Sequence, residues 1–448
     1  MKKEKIIIII ECFIVFILFF ILNTFYYNTH DHIWDFMHSF SIANGLYIYK
    51  DFNIIVGPVY PIFMALILKL YGNNLLVFDI ANSLLVVCIY LLIGIHNKKT
   101  LALYAIILCF IGLTAKYNVF TLLLFYIIYY LEKGKFKYKD YIIGILLSLL
   151  LFTKINIGCA LILATIIVNI KDVKCLLKRV ISLLLTSIII VGLMAIFGVL
   201  SYFINYTILG LFDFTSNTTI SYYAILVIIS IIYILLNIKK DKYLVYMLLY
   251  LIMAIPLLDK THVVLAIFPT ILYALDNLKQ TDRDRIIIKS LTIVLWLILC
   301  IYVPIKYHEN ILDLKQKCVN GNCFISNNYK LLFKYIHGIN EEIVYDDDYR
   351  VFYISTDAYL YKYDIHENID KYDLLLNGNM GYDGEQQYIN EINDICSEVK
   401  CMFIIDKDRT KKNYQFPFRI RDFVIKKYNK NYEINYNNSI IYVYTNDY

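Results

Sequence analysis

MKKEKIIIIIECFIVFILFFILNTFYY, residues 1–27, places three lysines ahead of an apolar run over 6–22 that is interrupted once, by Glu11. A helix rises 1.5 Å per residue, so a block of this length suits a hydrocarbon core of roughly 30 Å. The run is long for a secretory leader and no small-residue cleavage site follows it. It reads as a retained first transmembrane helix whose basic start stays in the cytoplasm.

The same texture continues along the chain. Hydrophobic residues make up 59% of the 448 positions and charged residues only 18%, against roughly 25% charged in an average soluble domain. The apolar blocks fill 6–304, whereas 305–448 is rich in Asp, Asn, Lys and Tyr. Candidate spans fall at 6–25, 74–95, 101–115, 118–132, 141–153, 156–170, 181–205, 222–238, 243–258, 263–277 and 287–304. The segments between them alternate in charge. Lysines and arginines crowd 1–5, 96–100, 133–140, 171–179, 239–242 and 278–289, while 26–73, 116–117, 154–155, 206–221 and 259–262 carry few. Short basic segments remain cytoplasmic. About eleven spans then leave the C-terminal region outside the plasma membrane. The formal charge of +6 sits where topology wants it and gives no argument for nucleic acid.

The expected fold is therefore an α-helical polytopic membrane protein, 1–304, with a small extracytoplasmic α/β domain over 305–448. In that tail, Arg350–Ser355, Cys401–Ile405 and Ile440–Tyr444 read as strands, and 327–338, 384–398 and 419–429 as helices. Cys318, Cys323, Cys396 and Cys401 lie in it, and four cysteines allow three pairings. An oxidising compartment suits disulfides there.

The first outer segment, 26–73, departs from lipid-soluble helix. It contains the amphipathic stretch 33–44 closed by Gly45, then an apolar helix over 59–71 led by Pro58 and Pro61 and closed by Gly72. That helix suits the membrane interface, with Trp34, Tyr47, Tyr49 and Tyr71 at headgroup level. Asp31 and Asp35 stand just after the first span, beside His30 and His32. A carboxylate at a membrane surface is costly unless it has a task. On a helix Asp31, Asp35 and His38 share one face, an arrangement that leaves room for a divalent metal without requiring one.

Other outer polar residues collect in the same plane: Lys116 and Tyr117, Lys154 in FTKINIG, and Asp259, Lys260 and His262 in LLDKTHVV. Singly each suits a snorkelling residue. Converging opposite Asp31, the cations Lys116, Lys154 and Lys260, with His262, would hold a phosphate. An acid beside an anion site suits group transfer from a phosphorylated lipid, the acid as general base and the cations receiving the departing phosphate.

The order Asp31 with Trp34, Ala43-Asn44-Gly45, Tyr49-Lys50-Asp51-Phe52, Gly57-Pro58 and Leu70-Tyr71-Gly72 resembles the first outer loop of the GT-C superfamily of membrane glycosyltransferases. The branch it is most similar to is the protein O-mannosyltransferase-like and aminoarabinose-transferase-like one. Leu151-Phe152-Thr153-Lys154 through Gly158 resembles that family's junction between two short helices. The resemblance implies a polyprenyl-phosphate sugar as donor and an extracytoplasmic glycan, lipid or protein as acceptor. It also implies Asp31 as general base assisted by Asp35, and Trp34, Tyr49 and Asp51 in substrate contact. His32 stands where the family's second acid is usual, and Ile48 where a proline precedes the tyrosine. A transporter or flippase for polyprenol-linked glycans, or an assembly protein working through its tail, are the alternatives from other classes. Paired broken repeats would mark the transporter, and the sequence has no clear internal repeat.

Overall fold

The computed structural model describes residues 2–25, 30–96, 115–215, 221–255, 258–277, 290, 294, 305, 318–319, 322–323, 336–344, 348–355, 358, 371–372, 375–376, 378–407, 416–436 and 439–446. The spans expected at 101–115 and 287–304, and the first part of the helix expected at 327–338, fall outside them almost entirely. The described chain is mostly helical with a small sheet.

The helices, in order, begin with α1 (Lys2–Phe25), α2 (His30–Ala43), α3 (Val59–Tyr71) and α4 (Leu75–His96). There follow α5 (Lys116–Lys133), α6 (Lys139–Leu151), α7 (Ile155–Asn169) and α8 (Val173–Ile196). Next come α9 (Leu200–Phe203), a π turn (Ile204–Leu209), α10 (Gly210–Thr215), α11 (Ala224–Asn237), α12 (Leu244–Tyr250) and α13 (Lys260–Asn277). The stop signals in the first loop act as expected. Pro58 caps the start of α3, and Gly45 and Gly72 follow α2 and α3 with φ of +93° and +128°, a region that costs glycine nothing.

Among the described residues two helices are long and apolar enough to cross a membrane, Leu75–Gly94 and Val173–Ile196. The other apolar helices are shorter: α6 has 13 residues and α7 has 15, roughly 20 Å each at 1.5 Å per residue. The span expected at 181–205 is displaced. α8 begins at Val173 and stops at Ile196, because Gly198 (φ +68°) turns the chain before α9 starts. Much apolar surface faces outward, including Leu184, Ile188 and Ile196 on α8 and Ile225, Ile228 and Ile232 on α11. A water-soluble surface seldom presents apolar patches of that extent.

Two compact units result. The first gathers Met1–Ala43, Gly57–Leu193 and Thr219–Asn327; the second gathers Asn44–Val56, Met194–Thr218 and Asn328–Tyr448. In the first, α1 packs on α4 through Asn23 Nδ2 to Ser83 Oγ (3.1 Å) and Tyr90 OH to Glu11 Oε2 (3.0 Å).

The second unit is built on a four-stranded sheet. Strands β3 (Tyr349–Ile354) and β4 (Lys400–Asp406) run parallel, joined through helix α14 (Gly384–Glu398). After α15 (Phe418–Lys427), β5 (Asn429–Tyr436) and β6 (Ser439–Thr445) form an antiparallel pair, and the order across the sheet is β3-β4-β6-β5. A short pair, β1 (Cys318–Val319) and β2 (Asn322–Cys323), sets Cys318 opposite Cys323 in its register and belongs to the first unit. Cys396 and Cys401 are bonded to one another. The strand β5 departs from expectation, since NKNYEINY lacks a clear apolar alternation.

Two earlier segments complete this unit. The Asn53 backbone N–H donates to the Lys371 carbonyl (3.2 Å) and its Nδ2 to the Asn379 carbonyl (3.0 Å). Asn205 in the π turn donates from Nδ2 to Gln387 Oε1 (3.0 Å) and accepts from the Tyr382 N–H (3.2 Å). Parts of the two longest segments read as outer, 26–73 and 206–221, thus fold with the tail.

Candidate functional site

The acids of the first loop are set by α2. Asp31 lies in its first turn, where a carboxylate favours the helix dipole, and is exposed. Asp35, one turn on, is 2% exposed and accepts the Lys116 backbone N–H (2.5 Å). Burial, aided by the Asp31 charge, pushes its carboxyl well above the usual range, against the Lys116 and Tyr117 N–H groups and the Lys116 charge. The two acids therefore separate: Asp31 is exposed, and Asp35 is buried and ties α2 to the start of α5.

His32 is also buried, and its Nε2 meets Asp79 Oδ1 of α4 at 2.7 Å. Desolvation lowers its pKa, against the pull of Asp79. His32 thus sets a carboxylate of α4 beside α2. Tyr60 of α3 donates to Asn82 Oδ1 (3.0 Å) on the same helix α4. Trp34 is buried edge-on against His38, with ring centroids 4.3 Å apart.

The cations come from two turns. Lys116 opens α5 with its Nζ on Asn23 Oδ1 (3.0 Å). Burial pulls its pKa down to about 8, although Asp79, Asp35 and Asp31 all favour its charge. Lys154 precedes α7, and its Nζ donates to Asn118 Oδ1 (2.8 Å) and Met253 Sδ (3.0 Å) while lying 5.5 Å from the Tyr117 ring centre. Burial lowers its pKa to about 7, with Asp259 opposing. The turn that carries it is gripped by the first loop: Gly57 N–H donates to the Thr153 carbonyl (3.1 Å) and Val59 N–H to the Phe152 carbonyl (3.2 Å). A Cβ on Gly57 would lie 1.9 Å from the Phe152 carbonyl oxygen, so only glycine permits this approach. The Gly57-Pro58 and Thr153-Lys154 elements, nearly a hundred residues apart, are one structural unit.

Asp259 caps α13. Its Oδ1 accepts the N–H groups of Thr261 (2.8 Å) and His262 (3.0 Å) and the Thr261 hydroxyl (2.6 Å), while Oδ2 meets His262 Nδ1 (2.8 Å). These donors hold its carboxyl far below the usual range even though burial acts the other way. Leu258 before it has φ +47°, strained for a branched side chain. Lys260 is exposed.

Tyr117 is the hub. Burial keeps its phenol protonated, and the carboxylates of Asp35, Asp31 and Asp259 all lie near enough to add to that effect. The charges of Asp35, Asp31 and Asp259 thus act on Tyr117, Lys154 Nζ lies 5.5 Å from its ring centre, Lys116 precedes it in α5, and His262 is paired with Asp259. The sequence marked Tyr117 only as a neighbour of Lys116. Asp79, Asn82 and Asn118 were missed, although a polar residue inside an apolar run was the available signal.

Tyr49 and Asp51, expected as substrate contacts, lie in the second unit. Tyr49 is fully buried in the second unit, with φ +68° and its hydroxyl donating to the Val56 carbonyl (2.7 Å). Asp51, in the same unit, accepts the Tyr47 N–H (2.7 Å) and closes a tight turn. Among the described residues no three His, Cys, Asp or Glu side chains converge to hold a metal ion, so the Asp31–Asp35–His38 face does not form such a set. No family model, no curated protein and no solved structure matches the chain.

Proposed function

We propose that this chain is a GT-C-like membrane glycosyltransferase that moves a sugar from a polyprenyl-phosphate donor to an extracytoplasmic glycan, lipid or protein. The observation that carries the reading is the convergence on Tyr117 of the buried cation Lys116 beside it, the half-buried Lys154 ammonium 5.5 Å from its ring, and the fields of the exposed Asp31 and of Asp259, itself paired with His262. They come from four segments, two of which, the first outer loop and the 151–158 junction, carry motifs that resemble that family. The proposed topology keeps about eleven spans, a cytoplasmic N-terminus and an extracytoplasmic domain over 305–448. It is supported by the outward apolar surface of α8 and α11 and by the folding of 44–56 and 194–218 with the tail, since these charge-poor segments and the tail then share a compartment.

In the proposed reaction Asp31 accepts the proton of the acceptor hydroxyl as its oxygen attacks the anomeric carbon. The bond from that carbon to the phosphate oxygen breaks, and the phosphate leaves with the bonding pair. Lys154 and Lys116 stabilise the charge that develops on it, with His262 beside them. Direct displacement inverts the anomeric centre. Asp35, buried and bonded to backbone, holds α2 against α5 so that Asp31 and Lys116 keep their spacing.

Membranes containing the chain, supplied with radiolabelled polyprenyl-phosphate hexoses and pentoses, should release free polyprenyl phosphate and a labelled product. Asp31→Asn should lower that rate by about a thousandfold or more with helix content and melting temperature unchanged. Full activity in Asp31→Asn, or no transfer from any donor by the wild type, rejects the assignment.

A further inference from the structure

A second binding site lies away from Tyr117, where α5, α11 and α13 end. A cavity of about 820 Å³ opens there beside the basic segments 133–140 and 239–242, a volume within the usual range for small-molecule sites. Its base is apolar and buried, formed by Met247, Pro269 and Leu272. Its walls carry the rings of Tyr130, Tyr233 and Tyr273. Its rim carries two ammonium groups, Lys133 and Lys240, and two carboxylates, Asp241 and Asp276.

The rim chemistry narrows the ligand. Lys133 Nζ donates to Asp241 Oδ2 (3.0 Å) and to the Tyr129 hydroxyl (2.6 Å), and lies 4.5 Å and 5.9 Å from the ring centres of Tyr129 and Tyr273. Its charge is already matched and its aromatic cage already filled. Among the described residues two cations stand against two carboxylates, so the described rim offers no excess charge to an anion such as phosphate, nor to a quaternary ammonium. What remains is aromatic surface edged by side-chain donors and acceptors, with Asn237 and Asn277 beside the charged groups. A pyranose ring has that complement: a face of C–H bonds that lies on an aromatic ring, and a girdle of hydroxyls that both donate and accept.

We infer that this cavity binds a neutral carbohydrate ring, stacked on the tyrosines and held by the Asp241, Asp276 and asparagine rim. The inference does not rest on the transferase reading, because it uses none of the residues around Tyr117. Under the proposed topology the cavity faces the cytoplasm.

The full chain in lipid nanodiscs, free of glycoside detergent, can be titrated calorimetrically with glucose, galactose, mannose and N-acetylglucosamine, with inorganic phosphate and choline as charged controls. At least one sugar should bind saturably. Tyr273→Ala should weaken it by about tenfold or more and Asp276→Asn by about fivefold, while Tyr273→Phe, which keeps the ring, stays within about twofold. If Tyr273→Ala does not fold, Asp276→Asn decides. No sugar binding, tighter binding of phosphate or choline, or unchanged affinity in the folded variants overturns the inference. So does binding that Asp31→Asn abolishes and Tyr273→Ala spares, which would place the sugar at the other site.

Discussion

The two ends of α5 handle buried charge in opposite ways. Lys116 opens the helix and Glu132 nearly closes it, roughly 24 Å apart along the axis. At the far end Glu132 and Arg179 are each 2% exposed and fully matched. Arg179 holds Glu132 with both terminal nitrogens and donates from Nε (3.0 Å) and Nη2 (2.8 Å) to Asp140, while Tyr246 and Asn169 also donate to Glu132. At the near end Lys154 is held by an amide oxygen and a thioether, Asp35 by a backbone N–H, and Asp31 reaches solvent. A matched set is at rest. Lys154, whose ammonium donates to neutral acceptors, still has electrostatic work available for an incoming anion, which fits a binding role better than a brace.

Removing one partner from the matched end should have the largest effect on stability. Glu132→Ala leaves Arg179 buried with half its bonds gone, which costs about 3–5 kcal/mol. The expected result is a large fall in melting temperature, or loss of folded protein from the membrane fraction. Glu132→Ala with unchanged melting would mean that the network is no brace, and the contrast between the two ends would collapse.

A smaller effect is expected where the junction that carries Lys154 is packed. A Cβ on Gly158 would lie 2.3 Å from Leu151 Cα, a backbone atom that cannot move aside alone. Gly158→Ala should therefore splay α6 from α7 at a cost of about 1–3 kcal/mol and shift Lys154. Donor affinity should fall while the Glu132–Arg179 end, probed by its own melting contribution, is kept. Equal transfer kinetics in Gly158→Ala would show that the near end does not depend on this packing.

The same contrast explains what could be read in advance. The caps at Pro58, Gly45 and Gly72 were legible because capping is local, and the Thr153-Lys154 junction because its motif is contiguous. The His32–Asp79 pair joins positions 47 apart, and Arg179 lies 47 from Glu132. Neither leaves a local trace beyond a polar residue at or near an apolar run. The motif positions Tyr49 and Asp51 gave no sign of their backbone partners, the Val56 carbonyl and the Tyr47 N–H, because those bonds depend on the turn the loop adopts. β5 was missed because its polar strand is stabilised by pairing with β6 rather than by an apolar face.

The finest test is a pH profile at the near end. Burial brings Lys154 to about 7, so in the free protein its ammonium form is complete well below that pH and is lost as pH rises through it. The stability sign runs the other way. An unfolded lysine stays protonated up to its ordinary value, so the unfolded chain binds more protons above about 7 and stability rises with pH in that window. Binding of the donor phosphate needs the ammonium. Donor affinity should thus fall by about tenfold between pH 6 and pH 8 while the melting temperature holds or climbs. Lys154→Arg, which keeps its charge throughout, should flatten the affinity profile. A flat profile in the wild type, or the same slope in Lys154→Arg, would remove Lys154 from phosphate binding and leave it a structural cation like those of the matched end.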